Sequence, residues 1–109
     1  SIQVPDTIKI KGTKFHVSGI GKAVFKGCKL ATRAVIGKYV SVIENSVFES
    51  CGKLKKINLK TTTLKKIGKK AFKGIHKKAR FTVPKKQLKK YKKIFKSAKV
   101  IKKSMKISG

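Results

Sequence analysis

Leu64-Lys65-Lys66-Ile67-Gly68-Lys69-Lys70-Ala71-Phe72-Lys73-Gly74-Ile75 is the stretch on which the fold turns, because its apolar spacing returns on both sides. Upstream the same spacing gives Val17, Ile20, Phe25 and Cys28, then Val40, Ile43, Phe48 and Cys51; downstream Leu88, Tyr91, Phe95 and Ala98 repeat it with one residue fewer before the phenylalanine. The four phenylalanines fall 23, 24 and 23 residues apart. Apolar columns that hold one register mark stacked repeats, in which each unit buries its apolar face only against its neighbours. The spacing divides one domain of 109 residues into about four units, at roughly 1–30, 31–54, 55–79 and 80–109.

Within the units, short alternating runs predict strands at 34–36, 57–59 and 81–83, each with two inward residues around one outward residue. A second short extended piece ends at Ile43 or Ile67, and Gly21 and Gly68 follow the equivalent isoleucine, where they permit a tight corner. The residues before each phenylalanine predict a single helical or 3₁₀ turn stopped by glycine, as at Gly74 and Gly27. Near the N-terminus, apolar and polar residues alternate on both sides of Gly12-Thr13, which predicts a hairpin entered through Pro5 and Asp6. It would set Ile8, Ile10, Phe15 and Val17 on one face and cover the open end of the stack. After Pro84, Leu88, Tyr91, Phe95 and Ala98 follow a helical stripe opposite lysines, so residues 85–97 are expected to form an amphipathic helix that caps the C-terminal end. Val100 and Ile101 are candidates for a last strand, and 102–109 for a loosely held tail.

Charge decides what can approach this surface. The chain has 31 Lys or Arg against 3 Asp or Glu, a formal net charge of +28, and only Arg33 and Arg80 are arginine. Lys55, Lys56, Lys60, Lys65, Lys66, Lys69 and Lys70 are the candidate anion- or partner-binding residues, because they recur on adjacent turns. A strand spacing of about 4.8 Å lies inside the screening length of about 8 Å at physiological salt, so their fields add. Wall or host glycans, a surface protein, or nucleic acid held without sequence preference and in a salt-sensitive way all fit such a surface. Two arginines, and aromatics committed to the core, argue against base readout. The competing reading makes lysine a solubilising cover that binds nothing. The outward strand positions Lys9, Val35, Asn58 and Thr82 share no chemical theme and read as a solvated sheet face.

Catalysis finds no support. Asp6, Glu44 and Glu49 are scattered and form no carboxylate pair. The phosphate-cradling GxxxxGK[ST] loop and the GxSxG elbow are missing, and Gly19-Ile20-Gly21 lacks the third glycine of a dinucleotide loop. Cys28 and Cys51 fall in one inward column. That suits two small buried side chains, or a disulfide if their Cα atoms come within about 7 Å. Zinc is not expected without a CxxC and with His16 and His76 far from the thiols. No catalytic, cofactor or metal residue and no small-molecule substrate is therefore assigned. Nor does any run approach the roughly 18 apolar residues of a membrane span, and the N-terminus lacks a signal-peptide layout. Ser1 falls partway through a repeat, as in a chain trimmed from a longer one.

These residues resemble the BspA-type leucine-rich repeats of bacterial surface proteins, whose units read V-x-x-I-G followed by A-F-x-G-C. The matching stretches are Val17-Ser18-Gly19-Ile20-Gly21 with Ala23-Val24-Phe25-Lys26-Gly27-Cys28, Val40-Ser41-Val42-Ile43 with Val47-Phe48-Glu49-Ser50-Cys51, and Leu64-Lys65-Lys66-Ile67-Gly68 with Ala71-Phe72-Lys73-Gly74. Val83-Pro84-Lys85-Lys86 looks like the C-terminal end of such arrays in Gram-positive bacteria. The resemblance implies a leucine-rich-repeat solenoid, mainly β with short helical turns, in a secreted or cell-surface protein that is often multi-domain. Adhesion or host-protein binding is suggested for some members, and the family supplies no catalytic residue. Glu44 departs from the glycine after isoleucine, and Ile75 and Ala98 depart from the cysteine. The expected role is a non-catalytic surface module for interaction, against a cationic nucleic-acid binder or a purely structural cap.

Overall fold

Short runs in which buried and exposed residues alternate make short strands, and the turns between them leave no room for a long helix until the last unit. The computed structural model describes residues 2–10, 13–102 and 104–109, with the backbone alone at 7–10 and 13–16. In chain order the elements are β1 (Ile2–Val4), β2 (Thr7–Ile10), β3 (Thr13–His16), β4 (Gly19–Ile20), β5 (Arg33–Ile36), β6 (Val42–Ile43), β7 (Lys56–Leu59), β8 (Lys66–Ile67) and β9 (Arg80–Thr82). A 3₁₀ turn (Lys85–Gln87), helix α1 (Leu88–Ser97) and strand β10 (Lys106–Ser108) follow.

Strands one repeat apart lie side by side. One parallel sheet runs β1-β5-β7-β9-β10 and a second runs β4-β6-β8. In the first, Ile2, Ala34, Ile57 and Phe81 pair in register, as do Val4, Ile36 and Leu59, and all are buried. The intervening turns make a third ladder. The N–H groups of Ala23, Phe25 and Gly27 donate to the carbonyls of Asn45, Val47 and Glu49; those of Ser46, Phe48 and Ser50 donate to Lys69, Ala71 and Lys73. Each turn thereby satisfies backbone groups that would otherwise be stranded near the core.

Between the ladders the phenylalanines form one column. Ring centroids are 5.6 Å apart for Phe25 and Phe48, 5.2 Å for Phe48 and Phe72, and 6.4 Å for Phe72 and Phe95, with interplanar angles of 14°, 17° and 26°. Phe81 meets both Phe72 and Phe95 edge-on, at 5.1 and 5.0 Å. Stacked and edge-on pairs at such distances add to the burial of the rings themselves. The column is least covered at its N-terminal end, where Phe25 is half-buried and Val24 and Leu30 are 57% and 86% exposed.

Two positions of the turn take left-handed backbone. Ala23, Ser46 and Lys70 share one, with φ of 57°, 62° and 59°; Gly27, Ser50 and Gly74 share the other, with φ of 74°, 64° and 79°. Glycine suits the second position for the expected reason, and Ser50 holds the same conformation without it. At Gly68 the need is different: a Cβ there would run into Asn45 Oδ1 and the backbone joining Glu44 to Asn45. Asn45 Oδ1 in turn accepts the Lys69 N–H at 2.8 Å.

The expected helix over 85–97 is present, opening as a 3₁₀ turn and becoming α-helical at Leu88. It packs against β8 and β10, burying Tyr91 and Phe95. The Tyr91 hydroxyl donates to the Thr61 carbonyl at 2.7 Å and accepts the Leu64 N–H at 3.1 Å. Thr61, itself buried, donates its hydroxyl to the Val40 carbonyl. At the other end of α1, Val100 N–H bonds the Phe95 carbonyl, Lys99 N–H bonds the Lys96 carbonyl, and Lys99 has φ 55°. This is a Schellman ending with lysine where glycine is favoured. Lys99→Gly is expected to stabilise the protein by about 1 kcal/mol. Lys99→Gln, which removes only the charge, should shift the thermal midpoint much less.

The last strand is β10, not Val100-Ile101. The Val100 N–H is committed to the helix ending and cannot enter a ladder. Residues expected to be loosely held instead pair in parallel with β9, Ile107 opposite Phe81. At the other terminus β2 and β3 form the expected antiparallel hairpin, Ile8 opposite Phe15 and Ile10 opposite Thr13. Thr13 is thus a strand residue and not part of the turn; residues 11 and 12, and the side-chain face expected for Ile8, Ile10 and Phe15, lie outside the described residues. β1, not the hairpin, begins the large sheet.

Candidate anion-binding face

The outer face of the five-stranded sheet carries two rows, both dictated by strand register. Arg33, Lys56, Arg80 and Lys106 are paired strand to strand, and all four are exposed. Beside them run Gln3, Val35, Asn58, Thr82 and Ser108, paired in the same way. Alternation forces this arrangement: Ala34, Ile57 and Phe81, which lie between the two rows, are buried, so the residues on either side of them face outward. A shallow hollow of about 340 Å³ sits over the middle of the face, lined by Arg33, Lys56, Arg80, Val35, Asn58 and Thr82, among others. Neither row contains an acid. Like charges set directly across a sheet repel, and here the repulsion is uncompensated within the rows.

Three of the four expected outward positions, Val35, Asn58 and Thr82, are confirmed in register on this face. Lys9 is not among them, because it lies on β2 and pairs with Lys14; Gln3 of β1 holds that place. The hairpin occupies the interval between β1 and β4, and this shifts the count by one strand.

The seven candidate lysines are all exposed but do not converge. Lys56 is in the basic row, with Lys55 and Lys60 at the two ends of β7. Lys66 begins β8 of the second sheet, opposite Val42, and Lys65 directly precedes that strand. Lys69 and Lys70 line a separate hollow of about 590 Å³ between the third turn and the end of α1, over Ile67, Ala71 and Phe72. Arg33, Arg80 and Lys106 complete the row with Lys56, and the sequence does carry their signal: each directly precedes an inward strand residue.

Two of the acids, Glu49 and Asp6, are engaged elsewhere. Glu49 faces Lys26, Nζ to Oε1 3.7 Å. A hydrogen bond from Ser46 holds its carboxyl below the ordinary value against partial desolvation, with Lys26, Lys70 and Lys73 assisting. Asp6 accepts the Lys38 N–H at 2.8 Å. Both cysteines are free thiols, Cys51 buried and Cys28 half-buried. Cys51 donates to the Phe25 carbonyl at 3.2 Å, and burial pushes its thiol pKa up, which suppresses the nucleophilic thiolate. Among the described residues no group of three His, Cys, Asp or Glu could hold a metal, and no helix is long and apolar enough to cross a membrane.

Parallel strands recurring once per repeat, with turns between them, find their counterpart in a known family. The model for the BspA type leucine rich repeat region matches residues 3–108, in 6 copies. The chain belongs to the BspA-type leucine-rich-repeat family. This BspA-type chain is also similar to a crystal structure of a leucine-rich repeat protein from Bacteroides ovatus, with 32% identity and a TM-score of 0.56. That match covers 77% of this chain and 27% of the Bacteroides protein, so the chain spans about a quarter of that protein's length. No curated protein matches it. The family is one of repeat modules consistent with interaction, and the fold is a leucine-rich repeat with parallel strands and a C-terminal helix.

Proposed function

We propose that the protein is a non-catalytic interaction module of a bacterial surface or secreted protein, built as a short solenoid of about four units, that captures anionic polymers through its basic exterior. The observation that carries this reading is charge that is exposed and unpaired: 31 basic residues stand against three acids, and Lys26–Glu49 is the ion pair found among the described residues. Such a surface concentrates polyanions and steers them by its summed field. Anionic wall or host glycans are the favoured partners, with a surface protein bearing an acidic face as the alternative within the same reading. The family resemblance supports the surface setting.

Capture should be strong at low salt and fall steeply toward physiological salt, because counterions condensed on the polyanion are released on binding. Titrating the protein with a charge-matched glycan polyanion and with single-stranded DNA separates this role from that of a nucleic-acid binder: a clear preference for DNA overturns it. No binding to either polymer at low salt leaves a purely structural array end. The same charge predicts a second result. Crowded lysines repel one another in the folded state, so raising ionic strength from about 0.01 to 0.15 M, which shortens the screening length from about 30 to 8 Å, should raise the thermal midpoint. A midpoint that stays constant or falls contradicts it.

A further inference from the structure

We infer that the Arg33-Lys56-Arg80-Lys106 row is a linear binding site for a phosphodiester polymer with a hydroxylated, base-free backbone, lying across the strands of the large sheet. This inference rests on the proposed polyanion-capturing role and assigns its place and chemistry.

Placement comes first. The row is made by pairing strand to strand, so its four cationic groups follow a straight path on four adjacent strands, about 14 Å from first to last at roughly 4.8 Å per strand. Solvation alone does not call for this order. Lysines dispersed over turns and helix keep a surface soluble, whereas identical charges set directly opposite on neighbouring strands weaken the sheet. The arrangement makes sense with a polyanion above it, whose regularly spaced charges would relieve every contact in the row at once.

The kind of charge follows from the side chains. Both arginines of the chain are in this row, at alternate strands, among lysines everywhere else. A guanidinium presents a planar fork that meets two oxygens of one phosphate together, and an ammonium acts as a point charge. Fork and point charge therefore alternate along the path. A phosphodiester offers two non-bridging oxygens to the fork and still continues as a chain.

The neighbouring row selects the backbone of that chain. Gln3, Asn58, Thr82 and Ser108 offer neutral amide and hydroxyl groups, with Val35 as the exception. These suit hydroxyls of a polyol or sugar. Neither row holds an aromatic ring, and Phe25, Phe48, Phe72 and Phe95 are committed to the interior column, so the face lacks the platform that single-stranded nucleic acids use. The hollow over Arg33, Lys56 and Arg80 is open and shallow, as a through-running chain requires.

The test uses a fluorescent glycerol-phosphate oligomer titrated into the full chain at low salt. The variant Arg33→Gln/Lys56→Gln/Arg80→Gln/Lys106→Gln should bind at least about tenfold more weakly, and its log-affinity against log-salt slope should flatten by about 3. A control of equal charge, Lys22→Gln/Lys77→Gln/Lys89→Gln/Lys93→Gln, removes exposed lysines outside the row and should lose less than about threefold. Arg33→Lys/Arg80→Lys keeps the charge and should lose an intermediate amount, which reports the fork. Thermal melting verifies folding, and the row variant should melt no lower than the parent. Equal losses in the row and control variants overturn the site and leave the general polyanion role standing. Tighter binding of charge-matched single-stranded DNA or heparin than of the oligomer overturns the ligand class. Failure of the unaltered protein to bind any of the three overturns both.

Discussion

Phe48→Ala should destabilise the protein by about 4 kcal/mol and lower its thermal midpoint by roughly 20 °C. Phe48 is fully buried and stacked on both faces, against Phe25 at 5.6 Å and Phe72 at 5.2 Å. Truncation therefore removes the transfer energy of a whole ring and leaves a cavity that neither neighbour can fill, since each is held by its own turn ladder. A domain of this size has about 5–15 kcal/mol of stability in total, so much of it would go. Phe25→Ala is the internal comparison, because Phe25 is half-buried and, among the described residues, stacks on Phe48 alone. It should cost markedly less. Urea unfolding of both variants decides the matter, and equal losses would mean that the ring column is not what holds the turns together.

Tyr91→Phe should cost about 2–3 kcal/mol although it removes a single oxygen. The hydroxyl is fully buried and serves two backbone groups at once, the Thr61 carbonyl and the Leu64 N–H. Phenylalanine fits the same volume but strands both partners away from water, and leaving buried donors and acceptors unpaired is what makes such a change expensive. The substitution also separates two roles of α1. If packing alone seated the helix, Tyr91→Phe would be nearly neutral in equilibrium unfolding and the Leu64 amide would keep its protection from hydrogen exchange. A measured loss below about 0.5 kcal/mol would discount the latch.

The period of Phe25, Phe48, Phe72 and Phe95 was sufficient to read the stacking, because a ring that recurs in one register can be buried only by its own repeats. The helix was equally plain from Leu88, Tyr91 and Phe95. What escaped were elements whose pattern is too short to speak for itself. β1 is only Ile2-Gln3-Val4 ahead of a proline, and β10 is only Lys106-Ile107-Ser108 with one apolar residue. Both are strands because a neighbour offers them a ladder. Because β1 pairs with β5, Gln3 and not Lys9 holds the first place in the outward column. Val100 looked like a strand because it is apolar, yet its N–H is already used to finish the helix.

The candidate site was half visible. Lysine abundance pointed to an anionic partner, but composition cannot say which residues share a row. Recurrence on adjacent turns groups Lys56 with Lys55 and Lys60. Register instead joins it to Arg33 and Arg80, one repeat away on either side. Two arginines are few for base readout, and strand pairing sets both on one line.

The uneven covering of the ring column has a consequence for how the molecule comes apart. Each coil is held chiefly by the coils beside it, so unravelling proceeds from a free end and not from the middle. The C-terminal end is fastened by a latch, a helix and a returning strand, whereas the opposite end shows Val24 and Leu30 to water. Warming should therefore loosen the first coil while the later ones remain closed, and a protease would find its earliest cuts there.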